Sequence, residues 1–282
     1  MFNVAIKPLG ALIALVALFS LASCGPDKEE LAASQLLGEA DRLLIVKDYQ
    51  GAIDSIKVLN QRYPRFGDIR RAGLRIQANA MEGLVIDSIE RVEPVLAQAT
   101  IEVDSLKKEF VYLAPMAAGM DGYYIPSALV KTSVMQTAGL QPRVSEDGYF
   151  YLVCNIEGKK IGFRTLKITA GDSTWESRPV SEKRVLAVES SEVASFAPED
   201  VEGLGQWLES HPAKSYKATF TGSKGSLPFT INGLMAESII LSDHYSLALQ
   251  TQRSASIQRE KLERKLQTIR DNLANLPLPS QD

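Results

Sequence analysis

Only two histidines, His211 and His244, occur in the 282 residues, and that scarcity bounds the chemistry first. His244 follows Asp243 at a helical position and faces away from Leu241 and Tyr245. His211 precedes Pro212 at a predicted helix end, where an imidazole can cap the last carbonyls. Neither has a second histidine or a carboxylate at ligand spacing, such as the i, i+4 pair of a zinc helix, so no metal site is expected. Serines are numerous, but no Gly-x-Ser-x-Gly elbow presents one as a nucleophile. Gly222-Ser223-Lys224-Gly225-Ser226 has the residue types of a phosphate loop without its spacing. A strand-like Leu227–Ile231 follows it, so no helix amino terminus waits for a phosphate, and the segment reads as a hairpin turn. No cofactor is expected, and the chain does not read as an enzyme.

Two cysteines remain. Cys154 lies in the apolar run Tyr149–Cys154 and reads as a buried, inert thiol. Cys24 closes a segment with one cation, Lys7, and an apolar run from Leu9 to Leu21. That run has the length and small-residue ending of a secretory signal and is short for a membrane span. Leu21-Ala22-Ser23-Cys24 resembles the lipobox of bacterial lipoproteins. The resemblance implies that the Cys24 sulfur carries a diacylglycerol, that residues 1–23 are removed, and that the new amino terminus is acylated. Each buried acyl methylene contributes about 0.8 kcal/mol, so two or three chains hold a protein on a bilayer for long times. The implied location is the cell envelope. Gly25 in place of Asp favours the outer over the inner membrane of a Gram-negative cell. Lys28-Glu29-Glu30 resembles a surface-export signal and reads equally as a solvated tether, so the face of the membrane stays open.

Some side chains have the character of contact residues. Tyr123, Tyr124 and Trp175 stand beside turns, where aromatic rings can stack on sugars, anchor a protein or close a small core. Arg62, Arg65, Arg70, Arg71 and Arg75 crowd five cations into a short stretch that could meet lipid phosphates or an acidic partner, or form a solvated helix face. Removing Lys7 with the signal leaves 30 basic against 34 acidic residues, so no global positive charge recruits nucleic acid.

These residues must be positioned by helices and strands. Residues 24–30 read as a lipidated tether. Over 31–66, apolar residues recur at spacings of three and four, broken at Lys47-Asp48 and stopped by Pro64, which predicts a helical hairpin. Ala40, Ala52, Ile56 and Pro64 make residues 33–66 resemble a single tetratricopeptide-type hairpin. Residues 67–114 carry a heptad series from Val85 through Val92, Ala99 and Leu106 to Leu113, with Pro94 expected to kink or divide the helix. Residues 232–276 return to the same period through Leu241, Leu262, Ile269 and Leu276. Each helix would be about 65 Å long if unbroken. The simplest arrangement is an antiparallel stalk with Phe110 near Met235 and Leu96 near Leu249; a parallel homodimer is the rival. Between them, 119–231 turns to a period of two. Strands are expected at Leu129–Thr137, Tyr149–Ile156, Ile161–Ile168, Arg184–Glu189, Tyr216–Phe220 and Leu227–Ile231, with a hairpin turn at Glu157–Lys160 and a helix from Pro198 to Ser210. Residues 277–282 form a tail. The expected fold class is α+β: an N-terminal helical hairpin and a two-helix stalk with a small β-rich α+β domain inserted between its helices.

The functional expectation is a non-enzymatic envelope lipoprotein. It would be held on the membrane by lipid on Cys24 and present its α+β domain to a protein or glycan partner. Two readings compete: an envelope-polymer hydrolase whose nucleophile the sequence does not identify, and a glycan- or lipid-binding module.

Overall fold

A computed structural model describes residues 27–115, 121–130, 138–188 and 190–276. Among them are five α-helices: α1 (Lys28–Ile45), α2 (Tyr49–Arg62), α3 (Gly67–Leu106), α4 (Leu204–Ser210) and α5 (Gly233–Ala274). Ten strands complete the described fold: β1 (Phe110–Leu113), β2 (Tyr123–Pro126), β3 (Ala138–Ser145), β4 (Phe150–Glu157), β5 (Phe163–Ala170), β6 (Ser173–Glu176), β7 (Val185–Val188), β8 (Ser191–Phe196), β9 (Ser215–Gly222) and β10 (Gly225–Asn232). The described residues form two compact units, one up to Glu90 and from Lys261 onward, the other within Arg91–Glu260.

In the first unit, α1 and α2 begin on aspartates that accept orphan amides. Asp27 accepts from Glu29 N–H at 3.1 Å and Asp48 from Gly51 N–H at 3.0 Å. Small and large apolar residues then interlock, with Ala33, Ala40, Ile56 and Leu59 fully buried against Tyr63, Phe66 and Ile69. The outer ends of the long helices also meet here. Arg270 Nε donates to Glu82 Oε1 at 2.7 Å, and Arg75 donates to the Leu276 carbonyl at 3.1 Å.

In the second unit the strands form two antiparallel sheets, ordered β1-β2-β3-β4-β8-β7 and β10-β9-β5-β6. Leu152, Cys154 and Ile156 of β4 share one core with Phe163, Leu166 and Ile168 of β5, with Phe220 of β9, and with Leu204 and Leu208 of α4. Ala236 and Ile239 of α5 belong to that same core. Further along, α5 carries Tyr245 and Ala248 into a second cluster with Val103, Phe110 and Val144, where Phe110 and Tyr245 stack at 4.4 Å.

The expected fold class, a small β-rich domain inserted between the helices of a stalk, is therefore overturned. The β-rich part is larger, with ten strands in two sheets, and the facing ends of both long helices are built into its core. The physical reason lies in α5. Ser238, Ser242 and Ser246 are buried beside the apolar residues, a width that an apolar heptad count misses. Ser242 is satisfied by the Ser238 carbonyl, whereas Ser246 reaches out of the helix. Its hydroxyl donates to Gly148 O at 2.7 Å and accepts from Phe150 N–H at 3.1 Å, while Gln250 also donates to Gly148 O. Gly148 has φ +84°, and a Cβ there would lie 2.8 Å from that of Leu249, so the β3–β4 turn can approach the helix only with glycine.

The expected register also fails. Phe110 meets Tyr245 rather than Met235, which packs on the main core. Within the second unit Thr100 bonds to Gln252 at 3.1 Å and Glu93 pairs with Arg259 at 2.7 Å, one heptad beyond the expected offset. A seven-residue repeat is blind to such a shift. The helix does not divide at Pro94, which lies inside α3. Phe110 and Leu113, read as heptad positions, belong instead to β1.

The expected Glu157–Lys160 hairpin is absent, because β4 pairs with β3 and β8 while β5 pairs with β6 and β9. The segment carries the chain from one sheet to the other. The helix expected from Pro198 starts only at Leu204: Asp200 turns back to accept from Ala197 N–H at 2.9 Å, and Gly203 at φ +74° stands at the N-cap. The strand expected over Leu129–Thr137 lies mostly outside the described residues, and Leu129 itself sits in a 3-10 turn. Ser223 and Lys224 form the turn between the paired strands β9 and β10.

Glu192 of β8, buried beneath that crossing, accepts from the amides of Ile161 and Gly162, both at 3.0 Å. Glu192→Ala strips two buried donors of their acceptor and is expected to lower unfolding free energy by about 2–4 kcal/mol in denaturant titration, with Glu192→Gln losing less.

Candidate functional site

Strand alternation sorts the six-stranded sheet into two faces. Leu152, Cys154 and Ile156 point to the shared core, where burial pushes the Cys154 thiol far above its usual pKa and keeps it inert. Register sets Gln141 against Val153, Arg143 against Tyr151, and Tyr123 against Ser145 on the opposite face. There the Arg143 guanidinium lies over the Tyr123 ring, 4.1 Å from its centroid. Its Nε donates to Gln141 Oε1 at 2.6 Å. The Tyr151 phenol completes the group. Burial raises its pKa, and the charge and hydrogen bond of Arg143 pull the other way. Arg143, Tyr123 and Tyr151 are each half-buried, whereas Gln141 is buried. No carboxylate forms a salt bridge with Arg143 among the described residues. Asp121 acts on Tyr151 only through its charge.

The residues singled out from sequence separate here. Tyr123 belongs to this cluster. Tyr124, its neighbour, points to the other face, packs edge-on against Tyr245 at 5.5 Å and lies tilted against Tyr112 at 5.1 Å. Trp175 is half-buried on the main core and donates to the Glu202 carbonyl at 3.3 Å. Cys24 lies outside the described residues. Four of the five arginines have partners. Arg65 pairs with Asp27 and Glu29, Arg70 bonds Asn60 and the Pro64 carbonyl, Arg71 pairs with Asp68, and Arg75 reaches Leu276. Arg62 is exposed in the last turn of α2, where its charge suits the carbonyl end of the helix.

Arg143, Gln141 and Tyr151 were not anticipated. The signal available was the alternation Gln141-x-Arg143 with Tyr151-x-Val153. Pro142 between the first two argues against a paired strand, because it withholds a ladder donor. A second unanticipated feature is an apolar groove of about 460 Å³ between α5 and the end of β2. Leu234, Ile240, Leu241 and Pro126 line it, and Glu109, Glu237 and His244 stand among them. His244 Nε2 lies 3.4 Å from Glu209 Oε2, and this exposed pair reads as a surface contact. Among the described residues no group of three or more His, Cys, Asp or Glu could hold a metal ion, and no helix is long and apolar enough to cross a membrane.

Comparison of the chain with protein-family models, with curated proteins and with solved structures finds no match.

The electrostatics make two outcomes measurable. Arg143→Gln removes the influence that lowers the Tyr151 pKa, so absorbance titration should show that phenol moving further upward. Tyr245, buried among Phe110 and Tyr124, has its pKa raised to about 12 from 10.0, chiefly by desolvation. The folded state thus holds this proton more tightly than the unfolded chain. The resulting stability is complete below pH ~10 and should be lost as pH rises from about 10 toward 12. Thermal unfolding of Tyr245→Phe should show a shallower loss across that window than the unaltered protein.

Proposed function

We propose that the protein is a lipid-anchored envelope lipoprotein that acts without catalysis, its β-rich unit engaging a protein or glycan partner. The anchor rests on the lipobox resemblance at Leu21–Cys24, which assigns the lipid to Cys24 and favours the outer membrane. The binding half rests on one observation. A half-buried arginine, stacked on Tyr123 and bonded to a neutral glutamine, keeps donors available on a sheet face instead of spending them on a carboxylate. Arginine in such a setting is a preorganised fork for an acceptor supplied from outside.

The test has two arms. Cells fed labelled palmitate should label the unaltered protein and sediment it with membranes, while Cys24→Ser takes up no label and leaves the membrane fraction. Retention of Cys24→Ser on membranes with undiminished label would refute the anchor. In the second arm, cross-linking in intact envelopes should yield a partner that Arg143→Ala loses, and equal recovery by both proteins would refute the binding surface.

A further inference from the structure

We infer that the Arg143 cluster is a subsite for the carboxylate of an acidic glycan, a uronic acid or a similarly carboxylated sugar. This deepens the proposed binding role and rests on it. Tyr123 covers one side of the guanidinium, Nε donates to Gln141 Oε1 and a terminal N–H engages the Tyr151 phenol, which leaves the remaining terminal N–H groups without a carboxylate partner among the described residues. Two parallel N–H donors held in this way match the two oxygens of a carboxylate, and partial burial strengthens such charge-assisted bonds.

The count of charges selects among anions. Among the described residues Arg143 is the one cation of the cluster, which suits a monoanion, where a phosphate dianion would meet too little positive charge. The remaining groups suit a sugar. The Gln141 amide nitrogen and the Tyr151 hydroxyl can donate to ring hydroxyls. Aromatic surface provides a partner for the apolar face of a pyranose.

A peptide is disfavoured by the sheet itself. Extended peptides gain affinity by adding to an open strand edge. Here β2, β3 and β4 are each paired on both sides, so a peptide backbone would find no ladder to join at this position.

The experiment titrates the full-length lipidated protein in detergent with sodium glucuronate, followed by ligand-observed NMR, with glucose as the neutral counterpart and triglutamate as the acidic peptide. Saturable glucuronate binding is expected, weakened about tenfold or more in Arg143→Gln, with glucose weaker by a similar factor. Arg143→Lys keeps the charge and the fold but not the fork, and should fall between the two. The inference is overturned by undiminished binding to both Arg143 variants, by glucose or triglutamate binding as well as glucuronate, or by no glucuronate binding to the unaltered protein up to about 10 mM. If glucuronate fails while Arg143→Ala still loses its cross-linked envelope partner, the sugar class falls and the binding role stands. Failure of both removes both.

Discussion

Between Glu157 and Phe163 the chain leaves one antiparallel sheet and enters another, and every backbone group on that passage must be satisfied without a ladder. Glu192 resolves this from the six-stranded side, its carboxylate accepting from Ile161 and Gly162. The β9–β10 turn resolves it from the other, where Lys224 N–H donates to Ile161 O at 2.9 Å and Ser223 N–H to Gly162 O at 3.3 Å. Gly158 N–H is taken by Ser190 O at 2.9 Å. The passage is tight enough that a side chain at Gly222 would run into the backbone of Ile161 and Gly162. Donors and acceptors are thus supplied by elements from both sheets, so neither sheet can shift without exposing unpaired groups. The apolar core between Leu152, Phe163 and Phe220 adds the larger share of stabilisation, but it is nondirectional. The polar crossing fixes where the sheets must sit.

This passage also explains why a strand pair read correctly as strands was joined wrongly. Apolar alternation in Tyr149–Ile156 and Ile161–Ile168 reports a half-buried extended chain, and both segments are extended: β4 covers Phe150–Glu157 and β5 covers Phe163–Ala170. Alternation carries no information about the partner. A Gly-Lys-Lys connection of ordinary length looks like a hairpin whether the next strand folds back or crosses over. The distinguishing residue, Glu192, is distant in sequence and shows itself only as one acidic side chain between Ser191 and Val193 in β8. The helices were legible in the same partial way. Their periodicity located α3 and α5, but a heptad repeat left their offset undetermined. The buried serines of α5 counted as polar although Ser246 holds Gly148 and Phe150. Polar residues that bury themselves by bonding to a turn are invisible to a hydropathy pattern.

The candidate site was legible only at Tyr123. Aromatic character drew attention to Tyr123 and Tyr124 together, and the period of a strand then divides them between opposite faces. One face leads Tyr124 to Tyr245 and the interior; the other leads Tyr123 to Arg143. Arg143 itself was hidden by Pro142, which reads as a break. The structure accommodates that proline inside β3 opposite Leu152, with Gln141 and Arg143 still paired to Val153 and Tyr151. No local signal ranks Arg143 above the other basic residues of the unit. Its environment does, because most other arginines with described contacts spend their charge on a carboxylate or a carbonyl close by.

The consequence for binding is mechanical as well as electrostatic. A guanidinium on a long side chain normally loses considerable rotamer entropy when it captures a ligand. Here much of that freedom is already removed: Tyr123 limits one side, Gln141 holds Nε, and all three stand on strands that are paired along both edges. The turn that connects β3 to β4 is in turn fixed to α5 through Ser246, Gln250 and the Arg253–Asp147 pair. Residues far from the sheet face therefore help to hold the cluster in place. A surface prepared in this manner gains affinity from rigidity more than from area, which suits a site built from four side chains rather than a deep pocket.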